Sequence, residues 1–151
     1  MASKLDAVCL FLAALWQADP DFSTVRVVDG PQVNEEDANE WLFVGYDADN
    51  LDDSTEGASA EQDWMAFAKL KQEQGEVTCA AVVRSGEVNI PAVRARALDI
   101  VSDAEDGLRT DPTLGGLVMQ SWLSDQRFIP MVTQTGCKAR VVFTVSYLAQ
   151  L

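Results

Sequence analysis

The sequence predicts an α+β fold in two layers, with a mainly antiparallel mixed sheet and two helices packed on one face of it. Three observations lead to this prediction: two segments with apolar residues at helical spacing, several segments that alternate apolar and polar residues, and short links between neighbouring strands. The chain has 151 residues, of which 48% are hydrophobic, and it shows no internal repeat, low-complexity tail or domain boundary. We therefore expect a single domain spanning residues 1–151.

The first helix is predicted near the N-terminus and ends at Asp19-Pro20, because the residue before a proline avoids the helical region. Its apolar stripe, spaced by three and four residues, comprises Leu5, Val8, Cys9, Leu12, Leu15 and Trp16. This apolar run is interrupted by Asp6, is too short for a membrane span and has no convincing cleavage site. We expect neither a membrane helix nor a signal peptide.

Two strands are expected next, over residues 23–30 and 40–47. They could pair antiparallel through the acidic connection between them. The polar and acidic residues 48–60 are predicted to form a long mobile loop.

A hairpin-like pair of strands is predicted after this loop. Residues 63–71 are ambiguous, although their apolar residues fit a strand face with a period of two. Residues 72–75 are expected to turn the chain, and the alternation over residues 76–85 predicts a strand.

The second helix is predicted to begin at Asn89-Ile90-Pro91, where a capping side chain precedes a proline suited to the first turn. It should end near Arg109, since Pro112 prevents its continuation. Its predicted buried face consists of Val93, Ala97, Ile100, Val101, Ala104 and Leu108.

The C-terminal part of the chain is predicted to contain two strands. The first covers residues 114–124, and residues 125–136 form a connection. The second covers residues 138–149 and alternates cleanly. One of its faces carries Ala139, Val141, Phe143, Val145 and Tyr147, and the other carries Arg140, Val142, Thr144 and Ser146.

The charge of the chain is strongly acidic, with 24 acids, 11 bases and a net charge of −13. From Val27 to Ala68 there is no Lys or Arg, yet half of the acids lie there. Conventional nucleic-acid binding needs the opposite sign of charge. Two interpretations remain: a solvated acidic face, or a surface that meets a basic partner or must not adhere to DNA.

The sequence contains no constellation that predicts catalysis, a cofactor or a metal ion. There is no His, the three cysteines are far apart, and no GxSxG occurs. Gly115 and Gly116 follow a helix and precede a strand, so the segment LRTDPTLGG predicts a turn rather than a phosphate cradle. The acidic run DADNLDD has no Gly at the sixth position of a calcium loop and no Glu at the twelfth. We expect a protein that is not an enzyme.

Several aromatic residues are candidates for an interface with a partner. A two-layer fold has an open sheet face, so some large apolar groups should remain outside the monomer core. Trp41 and Phe43 lie on the strand face opposite Leu42 and Val44. The candidates are Trp41, Phe43, Trp64 and Trp122.

Five segments occur in an order and at spacings that are typical of one protein family. They are VRVVDGP, WLFVGYD, EVTCAAVVRSG, IPAVRARALDIVSDAEDGLRTDPTLGG and KARVVFTVSYLA. From about Thr24 to Leu148 the chain resembles the tail terminator proteins (minor tail or tail completion proteins) of long-tailed phages that infect actinobacteria. These proteins also have a long N-terminal helix, but its sequence in this chain is not diagnostic of the family.

The resemblance implies a structural protein of the virion. Such proteins form a homo-oligomeric ring, a hexamer, at the head-proximal end of the tail tube, after assembly in the host cytoplasm. The ring contacts the tail tube protein, stops tube polymerisation and offers a surface to the head-neck connector protein. DNA passes through it without specific binding, and no membrane is involved. The candidate lumen or loop acids are Asp47, Asp49, Asp52, Asp53 and Glu56.

Two other functions stay open from the sequence. A neck or head-completion protein on the other side of the same joint would use a similar small α+β fold. An acidic inhibitor that mimics DNA and occupies a basic host protein would also explain the base-free stretch, but not the apolar final strand. An interface cannot be assigned residue by residue from the resemblance.

Overall fold

A computed structural model of the protein describes residues 2–31, 38–49, 56–65 and 70–151. The helices are α1 (Leu5–Gln17) and α2 (Ile90–Thr110), with a short 3-10 turn at Pro20–Phe22. The strands are β1 (Arg26–Asp29), β2 (Glu40–Val44), β3 (Ala58–Met65), β4 (Leu70–Ser85), β5 (Gln120–Thr133) and β6 (Gly136–Gln150). The predicted α+β class, with one mixed and mainly antiparallel sheet and two helices, is confirmed.

All six strands join one sheet, in which β4 and β6 are the central pair. β5 flanks β6 on one side. On the other side of β4, β2 and β3 lie one after the other along the same edge, and β1 flanks β2. The sheet therefore has β5 at one edge, and β1 and β3 at the other.

The first two strands run parallel, with Arg26 opposite Trp41 and Asp29 opposite Val44. The predicted antiparallel pairing of this couple is therefore wrong. β1 spans only about 13 Å at roughly 3.3 Å per residue. The ten residues 30–39 that separate β1 from β2 outnumber the four residues of β1, so a parallel pairing is sterically feasible.

β4 begins at Leu70 and runs without a break to Ser85. The turn predicted at residues 72–75 is therefore wrong, because these residues pair with both β3 and β6. Gly75 resembles a turn residue in the sequence, but it lies opposite Tyr147, whose ring occupies the space that a side chain would need. Residues 66–69, which connect β3 to β4, lie outside the described residues.

β5 begins six residues later than predicted and continues through the predicted connection to Thr133. Residues 112–117 form turns, and the expected strand at 114–124 is wrong over its first half. Pro130 is tolerated inside β5 because an edge strand leaves half of its N–H groups unpaired. A bulge between Leu123 and Asp125 bends the same strand.

Both helices pack on one face of the sheet, as predicted. Asn89 Oδ1 accepts a hydrogen bond from the Ala92 N–H at 3.2 Å, which caps the start of α2. The side chains predicted for the buried face of α2 are all buried. Trp16 of α1 is fully buried, and its indole N–H donates to the Ala104 carbonyl of α2 at 3.3 Å. The main core is therefore closed between the helices and the inward faces of β4 and β6.

We predict that Gly75→Ala destabilises the protein by about 1–3 kcal/mol, because a Cβ at this position overlaps the Tyr147 ring. Urea unfolding measures the change. Gly86→Ala is the control, since no atom lies within 4 Å of the added Cβ. Equal stability of the two variants would contradict the close packing of Tyr147 on β4.

Candidate assembly surfaces

The exposed large apolar side chains of the described residues are spread over the subunit: four lie on β3 and β5, and the others are Leu10, Leu70, Val88, Leu98 and Met119. On one edge, Trp64 of β3 is 65% exposed, and Met65 beside it is also exposed. On the other edge, Met131 and Val132 of β5 are 51% and 64% exposed. Solvent-exposed apolar residues in such clusters are typical of interaction surfaces.

We call the first of these the β3 edge surface and define it by Glu61, Asp63, Trp64 and Met65. All four side chains are exposed. β3 pairs only with β4 among the described strands. The Lys71 ammonium lies 5.7 Å from the centroid of the Trp64 ring, so a cation covers one side of this indole.

We call the second the β5 edge surface and define it by Arg94, Arg127, Met131 and Val132. These side chains are exposed as well. The Arg94 guanidinium of α2 lies 5.8 Å from the centroid of the Phe128 ring, which joins the first turns of α2 to the edge strand. The two edge surfaces differ in sequence, so they are two distinct patches on one subunit.

The Trp41 and Phe43 side chains are buried, with 1% and 0% of their surface exposed. They were interface candidates because some large apolar groups were expected outside the monomer core, and this premise is wrong for these two residues. They do lie on the sheet face opposite the helices, but a second small core covers them there. Their rings stack at 5.5 Å, and Tyr46 meets Phe43 edge-on at 5.2 Å. The chain that leaves β2 folds back over this face, which hydrophobic periodicity does not reveal. Whether either residue contacts a partner stays a prediction.

The other two aromatic candidates have different environments. Trp64 is exposed on β3, as stated above, and Trp122 is half-buried on β5 opposite Ser146. Beside Trp122, the buried Ser146 hydroxyl donates to Ser124 Oγ at 2.9 Å. A partner could contact Trp64 without any rearrangement, whereas Trp122 offers only part of its surface.

The acids predicted for a lumen or loop are described in part. Asp47 and Asp49 are half-buried, and the Asp49 N–H donates to Asp47 Oδ1 at 2.9 Å in a local turn. The Arg140 guanidinium donates to the Asp47 carbonyl at 2.8 Å, which holds this turn against the sheet face without helices. Glu56 is exposed. Asp52 and Asp53 lie outside the described residues, and the lumen position of the whole set stays a prediction.

A buried carboxylate, Glu73, was missed by the sequence analysis. It is fully buried and accepts hydrogen bonds from the Tyr147 hydroxyl at 2.6 Å, the Gln62 amide at 2.8 Å and the Lys4 backbone N–H at 2.9 Å. Desolvation acts to raise the pKa of Glu73, but these hydrogen bonds outweigh it and hold the pKa below its usual value. Glu73 thus joins α1, β3, β4 and β6 at one point. The sequence did carry a signal for this buried position. Glu73 lies two residues before Gly75 and four before Val77, so the alternation of β4 places it on the same face as the core residues.

The part of the segment LRTDPTLGG that follows α2 forms a closed turn, as predicted. Asp111 Oδ2 accepts from the Gly115 N–H at 2.8 Å, and Thr113 Oγ1 accepts from the Gly116 N–H at 3.3 Å. Leu114 has a positive φ of 51° and is buried, which anchors the turn. The N–H groups that a phosphate would need are therefore bound by the protein's own side chains.

No group of three or more His, Cys, Asp or Glu side chains in the described residues could hold a metal ion. No helix within the described ranges is both long and apolar enough to cross a membrane. No protein-family model matches the chain, and no curated protein matches its sequence.

We predict that Trp41→Ala and Trp64→Ala differ strongly in stability. The first removes a buried stacked ring and should cost about 3–5 kcal/mol. The second removes an exposed ring and should cost at most about 1 kcal/mol, including its contact with Lys71. Urea unfolding of both variants checks this, and a large cost for Trp64→Ala would mean that the β3 edge is covered in the free protein.

We predict that Glu73→Gln lowers the free energy of unfolding at pH 7 by about 1–3 kcal/mol, because an amide group cannot accept all three hydrogen bonds. A carboxylate whose pKa is lower in the folded than in the unfolded state stabilises the folded protein at pH values above its unfolded-state pKa. This stabilisation is lost as the pH falls through the folded-state pKa. The difference between wild type and Glu73→Gln should therefore shrink below about pH 4.3.

Urea unfolding between about pH 3 and pH 7 measures this difference. Glu76→Gln, on the exposed face of the same strand, is the matched control. The Arg96 guanidinium and the Thr24 hydroxyl lower the pKa of Glu40, so Glu40 also loses stabilising free energy at acid pH. This loss is the same in wild type and Glu73→Gln, and it cancels in their difference. A difference that is independent of pH would contradict an ionised, hydrogen-bonded Glu73.

Proposed function

We propose that the chain is a structural virion protein that forms a ring of six subunits on the head-proximal end of a phage tail tube. The ring ends tube polymerisation and joins the tail to the head-neck complex. The observation that carries the proposal is the presence of two different exposed apolar surfaces on opposite edges of one sheet. The likeness of five sequence segments to tail terminator proteins supplies the identity of the assembly.

Two different surfaces per subunit are what a closed ring requires. In a ring each copy uses one patch toward the preceding copy and another toward the following copy, whereas a two-fold dimer uses one patch twice. The β3 and β5 edges are separated by the central strands β4 and β6. A repeated contact between them adds copies side by side.

The charge of the chain supports passage of DNA through such a ring. The net charge of −13 repels phosphate at moderate salt. The base-free stretch from Val27 to Ala68 includes the turn at Asp47 and Asp49, which lies against the sheet face without helices. Acids facing the lumen would keep DNA from adhering.

Contacts along the ring axis would involve the tail tube protein on one side and the head-neck connector protein on the other. The protein would reach the virion from the host cytoplasm as a separate subunit.

We expect negative-stain images of the purified chain with tail tubes to show caps at one end of the tubes, and rings about six subunits around where the chain assembles alone. The reason is that the tube end templates the repeated edge contact. Tubes alone and tubes with an unrelated acidic protein are the controls.

Two outcomes would contradict the proposal. A chain that ignores tail tubes but binds filled heads would be a neck or head-completion protein. A chain that ignores both, stays monomeric or dimeric and binds a basic DNA-binding protein would be an inhibitor of that protein.

A further inference from the structure

The helix α1 carries apolar side chains on all of its sides. No charged residue occurs between Asp6 and Asp19 in the sequence. A helix that is apolar all round is normally buried on every side. In the single subunit only one side of α1 faces the core, and it consists of the buried residues Val8, Leu12, Ala13 and Trp16.

The outward side of α1 is centred on Leu10, whose side chain is 56% exposed. Ala7 and Ala14 lie three residues before and four residues after Leu10, so they share its side of the helix. Asp6 lies on the flank toward β1, where burial and the charge of Asp6 raise the pKa of Asp29. The outward side is therefore an uncharged apolar surface, of the kind that marks a contact with another protein.

A groove runs along this side, between α1 and the turn that follows α2. Its volume is about 650 Å³, and it is lined by Lys4, Ala7, Leu10, Phe11 and residues 114–117. Gly115 and Gly116 keep it open, because a Cβ at Gly115 would lie 3.1 Å from the Phe11 ring and Gly116 has no atom within 4 Å of its Cβ position. We call the outward side and the groove together the α1 surface, and define it by Ala7, Leu10, Phe11, Ala14 and Leu117.

The two ends of the α1 surface differ in charge. Lys4, at the start of α1, is the cation that lines the groove. At the other end the Trp16 indole joins α1 to Ala104 of α2, and four carboxylates gather there, those of Asp19, Asp21, Asp103 and Asp106. Burial and the other three carboxylates raise the pKa of Asp103, so these groups lie close together. Arg96, the cation beside them, is bound to Glu40.

This pattern is complementary to a second copy of itself in one orientation. When two α1 helices lie antiparallel, Lys4 of each copy meets the carboxylates of the other copy. A parallel arrangement would place the four carboxylates against the same four. The antiparallel arrangement also brings opposite ends of the two helix dipoles together. A two-fold contact of this kind uses one patch on both copies.

We infer that in the free protein α1 of one copy packs antiparallel on α1 of a second copy. Leu10 of each copy enters the groove of the other, between Phe11 and Leu117. This contact lies outside the β3 and β5 edge surfaces, so it goes beyond the proposed function and does not depend on it. The 13 residues of α1 span only about 20 Å. We therefore expect a pair that forms at micromolar concentration.

The variant Leu10→Ser tests the apolar part of the contact. A two-fold contact contains each substitution twice, so self-association should weaken about tenfold or more. Leu98→Ser is the matched control, because Leu98 is also a helical leucine, is 38% exposed and does not line the groove. Sedimentation equilibrium of the free protein measures the dissociation constant. Circular dichroism and urea unfolding establish that each variant is folded.

A charge exchange tests the orientation of the two helices. Lys4→Glu places like charges across the contact and should weaken the pair. Adding Asp21→Lys, at an exposed position, lets opposite charges face each other again. The double variant should therefore associate more tightly than Lys4→Glu alone. In a parallel pair Lys4 would face Lys4, and its reversal would change little.

Four outcomes decide the inference. Wild type that stays monomeric up to its limit of solubility overturns it, and so does association that Leu10→Ser leaves unchanged. Equal association of the single and double charge variants overturns the antiparallel arrangement. Monomeric wild type that caps tail tubes only while Leu10 is intact would show that the tube protein occupies the α1 surface instead. A pair that depends on Leu10 but never caps a tube supports the inference and contradicts the proposed function.

Discussion

The antiparallel pairing of β4 with β6 is the interaction on which the rest of the structure depends. It joins fourteen consecutive residue pairs, from Gln72 opposite Gln150 to Ser85 opposite Cys137. Because paired residues share a face, this one register determines which side chains meet the helices and which remain on the open face. It also provides the outer edges on which β2, β3 and β5 pair, and β1 pairs in turn with β2. A slip of one residue would exchange the two faces and remove the main core.

The helix layer is attached to this central pair by polar contacts as well as by apolar packing. Glu73 receives three hydrogen bonds within the core, one of them from Lys4, the residue immediately before α1. Arg96 of α2 binds Glu40 of β2 at 2.6 Å. A buried carboxylate is costly to leave without partners. These contacts therefore favour one placement of each helix over others that would bury the same apolar area.

The same architecture separates the parts that hold the subunit together from the parts that are free to meet other copies. The open sheet face is closed locally by the cluster around Trp41, so its aromatic rings stabilise the subunit. Exposed apolar groups include Trp64 and Met65 on β3, which pairs with β4 beside the main strand order, and Met131 and Val132 on β5, which ends that order. A sheet that is complete in its centre and unfinished at its edges suits lateral assembly.

The sequence by itself determined both helices, the capped start of α2, the alternation of β6, the α+β class and the charge imbalance. These features depend on neighbouring residues, whose period and capping groups can be read directly. Only the tertiary structure decided the parallel pairing of β1 with β2, the full lengths of β4 and β5, the burial of Trp41 and Phe43, and the role of Glu73. Periodicity reports which residues share a face, but it does not report what covers that face. The segments that cover a strand face are distant from it in the sequence. Which side chains remain exposed at the sheet edges can therefore be assigned only when the neighbours of every strand are known.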